Sequence, residues 1–318
     1  MIQGNHHITM CVGPAQEDYD FHTRLLGLRS IKKTVLFDGT LPIYHLYYAN
    51  ADGDPSSILT TFPFRQAGLR GRRGSNQIKV VNLAAPAASL DYWADRLAAH
   101  GIESTRADVL GTTRLRFAHP CGIPYSIVAV EGDARRPYTG ADVPAEHAIP
   151  GAYGVTVSVR DGGEMVEFLE QGLGARRIGS EGATEAFDLG EGGSGRVVEL
   201  VEEPDLEPGT WKFGEGTVHH VAYNAVTSES QMEMKLFLEG LGYTDVSDVK
   251  DRQYFHSCYV RSPSGALFEL AVSVPKSFAV DEDPDKLGSE FKLPPQFEHR
   301  RDELIGRLEP IRTEAVAR

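Results

Sequence analysis

The sequence predicts an α+β fold of four βαβββ modules arranged as two cupped half-barrels, and three observations carry that prediction. A β-rich stretch, an amphipathic helix, a glycine and three further strand-like runs recur four times along the 318 residues. The helix ends fall at Gly27, Gly101, Gly174 and Gly242, which lie 74, 73 and 68 residues apart. Apolar residues keep helical spacing before each glycine and gather into short β-branched or aromatic runs after it. A period of this length marks a chain built from copies of one supersecondary unit.

Module 1 (1–74) supplies HHITMCV, SIKKTVLF, IYHLYYA and SSILTTF around a helix ending in LLGL, and module 2 (75–133) supplies QIKVVNLA, TRLRFA and YSIVAVE around AAHGI. Module 3 (152–214) supplies YGVTVSV, TEAFDL and GRVVELV, and module 4 (215–275) supplies TVHHVAYNAV, FHSCYVR and ALFELAVSV. Met165, Phe168, Leu169 and Leu173 form one apolar stripe, and Met234, Phe237, Leu238 and Leu241 form another, so each helix needs a sheet to cover it. A glycine after the last turn takes the left-handed conformation that stops a helix. A curled four-stranded sheet leaves one concave face, and two side by side make a cup lined by inward-pointing residues. Segment 134–151, rich in Pro, Gly and Ala, reads as the linker between modules 2 and 3. Region 276–318 breaks the pattern with the acidic DEDPD and a predicted helix, EHRRDELIGRLEPI. It reads as a docking tail or oligomer contact, with solvated surface as the plainer alternative.

A net charge of −13 repels phosphate backbones and sets nucleic acid aside as a partner. The loop bearing Arg65, Arg70, Arg72 and Arg73 reads as a solvated loop or subunit contact rather than as an anion patch. Three scattered cysteines, with no paired spacing, fit a reducing cytoplasm better than a disulfide framework. No run approaches the roughly 18 apolar residues that cross a bilayer, so no membrane partner is expected.

Two module-opening strands carry adjacent histidines, His6-His7 and His219-His220, at equivalent places in the repeat. Strand alternation lets only one of each pair face the cup directly. Glu269 interrupts an apolar run in the last strand of module 4, where a carboxylate needs a cation or a metal. Taken singly, a strand histidine is more often structural, and Glu269 could pair with Arg252 or Arg261. Taken together, His7, His220 and Glu269 make the two-histidine, one-carboxylate set of non-haem Fe(II) oxygenases, which Mn(II) also suits. For these three to meet, module 1 must pair with module 4, leaving module 2 to pair with module 3.

The run of HHIT, DGTLPIYHLYYA, TTFPFR, GRRGSNQ, RRPY, PAEHA, EGTVHH, DRQYF, YVRSPSG and FEL, in this order over nearly the whole chain, resembles the vicinal oxygen chelate superfamily and, within it, the hydroquinone ring-cleaving dioxygenases. The resemblance implies Fe(II) held by His7, His220 and Glu269, with catalytic roles beside the metal or the substrate for His6, Thr9, His219, Arg252 and Tyr259. It implies a small aromatic diol and O2 as partners, and a homo-oligomer is expected. His256 stands where that family carries an acidic residue, which bears on the ring substituents the pocket accepts. Catechol cleavage and a glyoxalase-type lyase or isomerase are the alternatives, as is a binding protein that sequesters small molecules. The strand that supplies glyoxalase-type enzymes with a fourth ligand holds here only Thr60 and Thr61.

Overall fold

A computed structural model describes residues 2–36 and 40–313. Phe37, expected to end the strand SIKKTVLF, and the last five residues of region 276–318 lie outside the described residues. In chain order the first module contributes β1 (Asn5–Val12), α1 (Ala15–Asp20), β2 (Arg29–Leu36), β3 (Ile43–Ala49) and β4 (Ile58–Pro63). The second contributes β5 (Gln77–Pro86), α2 (Leu90–Ala99), β6 (Thr105–Val109), β7 (Thr112–Ala118) and β8 (Pro124–Val130). The third contributes β9 (Gly151–Val159), α3 (Gly163–Glu167), β10 (Arg176–Glu181), β11 (Thr184–Asp188) and β12 (Val197–Glu202). The fourth contributes β13 (Thr217–Asn224), α4 (Ser228–Gly240), β14 (Lys250–Asp251), β15 (Phe255–Arg261) and β16 (Leu267–Ser273).

These strands form two curled eight-stranded sheets, ordered β14-β15-β16-β13-β1-β4-β3-β2 and β10-β11-β12-β9-β5-β8-β7-β6. The α+β half-barrel architecture read from the repeat is thus the one observed. Each sheet is closed at its centre by an antiparallel pair, β1 with β13 and β5 with β9, flanked by parallel neighbours. Every residue of β1 is buried because both faces are covered. Ile8, Met10 and Val12 enter the core between the sheets, while His7 and Thr9 alternate onto the concave face. The four helix-ending glycines all have positive φ, between 70° and 102°.

Helices α1 and α3 are short and continue through π-helical turns, Phe21–Leu25 and Phe168–Gly172. The stripe predicted on α4 is only partly covered: Leu238 is buried, whereas Phe237 and Leu241 are 50% and 44% exposed. Region 276–313, read from the sequence as a docking tail, oligomer contact or solvated surface, folds back onto β2 of its own chain. Lys292 N–H donates to Lys33 O at 2.9 Å, Leu293 and Leu304 pack on Val35, and buried Lys32 is clamped by Asp281 and Glu282. The helix expected over EHRRDELIGRLEPI reduces to α5 (Arg301–Ile305) after a 3₁₀ stretch, Pro295–Arg300. No helix among the described residues is long and apolar enough to cross a membrane.

At Gly154 in β9 a Cβ would lie 2.0 Å from the Val197 carbonyl oxygen of β12. We expect Gly154→Ala to lower unfolding stability by about 1–3 kcal/mol through forced strand separation, read from urea or thermal unfolding. An unchanged midpoint would show that these strands part freely.

Candidate metal and active site

The antiparallel register sets His7 opposite Ala222 and Thr9 opposite His220, and β16 runs beside β13 with Glu269 next to Ala222. Three side chains from distant parts of the chain therefore meet on the floor of the first cup. His7 Nε2 and His220 Nε2 are 3.1 Å apart, and Glu269 Oε2 lies 2.9 Å from His220 Nε2 and 3.5 Å from His7 Nε2. A metal about 2.1 Å from each donor, with right angles between them, would set the donors about 3 Å apart. Thr9 Oγ1 also approaches His220 Nε2, at 2.9 Å. One imidazole nitrogen cannot satisfy three neighbours in three directions, and Glu269 Oε2, fully buried, has no aligned donor among the described residues. A cation at the point where they converge resolves that conflict, so the residues fit the metal that their types imply.

The remaining contacts orient the ligands. Glu269 Oε1 accepts a hydrogen bond from Ser257 of β15. His7 Nδ1 meets His6 Nδ1 at 2.9 Å, and His220 Nδ1 meets His219 Nδ1 at 2.7 Å, the same device used twice. With Nδ1–H of each inner histidine donating to the histidine before it, Nε2 is left as a lone pair facing the centre. Each outer histidine must then be neutral and carry its proton on Nε2. Burial pulls the His6 pKa down to about 3, aided by His7, and burial together with His220 takes His219 well below its ordinary value. Burial pushes the Glu269 carboxyl up, but His7 and His220 outweigh it and hold the group well below the usual carboxylate range.

The site residues expected from the sequence divide into two groups. Thr9, His219, Arg252 and Tyr259 line a cavity of about 760 Å³ above the three donors. His6 turns away from it and donates to Ser273 Oγ at 2.9 Å, so it acts on His7 rather than on a bound molecule. Arg252 has no carboxylate partner among the described residues. Its Nε–H donates to Tyr259 Oη at 3.2 Å and its guanidinium lies over the Tyr259 ring. His219 stacks on Phe213 at 3.8 Å between ring centroids and meets the edge of Phe62. His256 does not line the cavity: Phe255, Ser257 and Tyr259 alternate inward, and His256 between them faces out.

Several residues on the cup were not expected. Tyr47 Oη meets His45 Nδ1 at 3.0 Å, His45 Nε2 meets Thr60 Oγ1 at 2.9 Å, and Thr60 Oγ1 meets Thr9 Oγ1 at 3.2 Å. Alternation of His45 and Tyr47 along IYHLYYA is the signal that could have found this chain. Thr60 thus spends its hydroxyl on the chain, and among the described residues no fourth charged side chain joins the three. The mouth is walled by Pro294, Pro295, Gln296 and Phe297, which the folded-back C-terminal region brings over β2.

No family model matches the sequence. Among curated proteins, the chlorohydroquinone/hydroquinone 1,2-dioxygenase of Sphingobium indicum is 40% identical over 307 residues, covering 96% of this chain and 95% of that one. The chain belongs to the hydroquinone ring-cleaving dioxygenase family. Another member of this dioxygenase family, MhqO of Bacillus subtilis, provisionally named a ring-cleaving dioxygenase, is 35% identical and covers 97% of the chain. A crystal structure from Bacillus subtilis, provisionally titled a dioxygenase, superposes with a TM-score of 0.92 at 34% identity over 99% of both chains. Glyoxalase I from Zea mays, at 14% identity and a TM-score of 0.62, shares the vicinal oxygen chelate fold over 88% of the chain.

A second buried group in this dioxygenase, Asp18, His22 and His119, also gathers three potential ligands. Hydrogen bonds saturate one oxygen of its carboxylate, whereas Asp18 Oδ1 and His119 Nε2 have no aligned partner among the described residues. Asp18 Oδ2 accepts from Tyr48 Oη at 2.7 Å and Thr61 Oγ1 at 2.6 Å, while Oδ1 lies 3.1 Å from His22 Nδ1 and 3.3 Å from His119 Nε2. His119 Nδ1 accepts the Cys121 backbone N–H, which places its own proton on Nε2, facing Asp18. The group is a clasp between α1 and the β7–β8 turn. Burial pushes the Asp18 carboxyl up, but His22 and His119 more than offset it and hold it below its ordinary range. A depressed folded pKa contributes stability at neutral pH that erodes below about pH 4 and is lost as pH falls through the folded value. Asp18→Ala should cost about 3–5 kcal/mol at pH 7, flatten the acid limb of the stability profile and leave metal content unchanged. Loss of one metal equivalent in this variant would instead make the clasp a ligand set.

Proposed function

We propose that this dioxygenase opens the ring of a hydroquinone with insertion of O2, using Fe(II) held by His7 Nε2, His220 Nε2 and Glu269 Oε2. The observation that carries the reading is the convergence of those three buried donors on the floor of a cavity whose walls are aromatic and rich in hydrogen-bond donors. Fe(II), when bound, supplies a redox-active Lewis acid that activates a phenolic oxygen and O2 at one centre. Mn(II) suits the same donors, and reconstitution with each metal separates them. The hydroquinone preference draws on the relative named for chlorohydroquinone and hydroquinone. In a para-diol no ring bond joins two hydroxyl-bearing carbons, so 1,2 cleavage falls beside one hydroxyl, as in extradiol chemistry.

The protein's own groups divide the remaining work. Arg252, an exposed cation that lines the cavity and bonds Tyr259, stabilises negative charge developing on the substrate oxygen. His219, neutral with Nδ1 engaged by His220, presents Nε2–H and so orients a diol oxygen as a donor rather than removing its proton. Proton movement falls to the chain Thr9, Thr60, His45 and Tyr47. Burial, with His7 and His220 nearby, holds the His45 pKa well below its ordinary value, so His45 stays neutral and relays a proton only by releasing one from one ring nitrogen as the other accepts. Either direction of its hydrogen bonds is allowed, so the chain can pass a proton between Thr9 Oγ1 and Tyr47 Oη, both of which line the cavity. Phe297 and Pro294 narrow the apolar side of the cavity.

Anaerobic reconstitution with Fe(II), followed by O2 uptake with hydroquinone, chlorohydroquinone and catechol, tests the reading. We expect one iron per chain and uptake with the para-diols. Uptake confined to catechol, or none with any diol, overturns it. Glu269→Gln should bind iron weakly and consume no O2, and a variant with full iron and activity removes Glu269 from the ligand set. His45→Ala should lower kcat about 10²-fold with little change in KM and with iron retained. Phe297→Ala should raise KM more than it lowers kcat in the same assay.

A further inference from the structure

The second cup, shared by modules 2 and 3, repeats the first position by position. Glu199 of β12 sits beside Thr156 of β9 as Glu269 sits beside Ala222. Val80 faces Thr156 where His7 faces Ala222, and Gly154 faces Asn82 where His220 faces Thr9. Ser126 neighbours Asn82 as Thr60 neighbours Thr9. The carboxylate is kept and both imidazoles are gone. At Gly154 no imidazole could return, because a Cβ there would lie 2.0 Å from Val197 O.

A guanidinium takes over the positive role. Arg114, 3% exposed, donates Nη1 and Nη2 to the two oxygens of Glu199 at 3.1 and 3.0 Å, and Thr156 Oγ1 donates to the same carboxylate at 2.7 Å. Glu199 is therefore saturated, and this cup has no capacity for a metal. It nevertheless encloses a cavity of about 370 Å³, within the size range of small-molecule sites. Its walls include Val80, Val109, Phe117 and Val201, and its charged lining is Lys79, Arg114, Arg116 and Glu199. That lining carries two more positive than negative charges in a chain whose net charge is −13. Lys79 is held by Glu203 and Arg114 by Glu199, but Arg116, two residues along β7 from Arg114 and on the same face, has no carboxylate partner among the described residues. Arg114 Nε–H, buried at the base, also has no acceptor.

We infer that the second cup is a metal-free binding site for a small aromatic carboxylate, with the ring against the apolar walls and the carboxylate held by Arg116. The inference is independent of the iron site, since no residue of the first cup takes part.

Isothermal titration of the purified full-length enzyme with benzoate tests it, with benzamide as the neutral analogue of the same shape. Benzoate should bind at least tenfold more tightly than benzamide. Arg116→Ala should weaken benzoate at least tenfold while leaving diol-dependent O2 uptake unchanged, and Arg252→Ala in the first cup should leave benzoate affinity as it is. The proposal is overturned by absence of benzoate binding at millimolar concentration or by equal affinity for benzamide. It is equally overturned by insensitivity to Arg116→Ala, or by a loss that follows Arg252→Ala, which would place the ligand above the metal donors.

Discussion

The antiparallel pairing of β1 with β13 is the constraint on which the rest of the molecule depends. It joins the two ends of the chain into one sheet and fixes Thr9 opposite His220. Side chains alternate with a period of two, so a slip of one residue would turn His7 or His220 away from Glu269. Two irregularities in the pairing, between Asn5 and His7 and between Thr9 and Met10, bracket the ligand positions and pin the register there. The contact between His7 and His220 spans 213 residues of sequence, so the centre cannot form until both ends of the chain have folded together. Its three donors are all nearly or fully buried, and a carboxylate and two imidazoles taken out of water are costly unless a charge is shared among them.

The two cups settle that cost in different ways on one backbone plan. In the first, imidazoles leave a carboxylate oxygen without an aligned donor among the described residues, and the proposed metal would engage it. In the second, Arg114 brings the cation covalently, and Thr156 and Asn82 supply further donors to Glu199. The chemical difference lies in very few positions, Val80 for His7 and Gly154 for His220, together with the guanidinium. Repeated architecture thus specifies where a charge must be balanced, and individual substitutions decide whether a metal or a side chain balances it.

Much of this was legible in the sequence because it is local or repeated. Helical spacing, the four glycines with positive φ and the alternating strands give the modules, and paired histidines at equivalent positions single out His7 and His220. Glu269 stood out as a carboxylate inside an apolar run. What was not legible depends on packing between distant segments. Ser257 touches Glu269 only because β15 pairs with β16, and His45 reaches Thr60 across β3 and β4, so neither shows a sequence spacing of its own. The Asp18 clasp joins residues from two modules with no motif between them. The C-terminal region looked like a tail because its anchor, Lys32, is an unremarkable strand lysine until Asp281 and Glu282 fold back onto it. The half-exposed stripe of α4 shows the opposite error, where periodicity promised a cover that the sheet provides only to Leu238.

The division of labour within the first cup follows from where its parts originate. The donors and the residues that aim them, His6, His219 and Ser257, stand on central strands held by hydrogen bonds on both sides, and such positions are rigid. The mouth is formed by Pro294 to Phe297 and by Thr34 to Leu36, from a region outside the repeat that rests on one edge strand. An edge can be re-covered without disturbing the centre of a sheet. Under the proposed function, residues of this region can therefore vary while the geometry about His7, His220 and Glu269 stays fixed, which would separate the choice of diol from the chemistry performed on it.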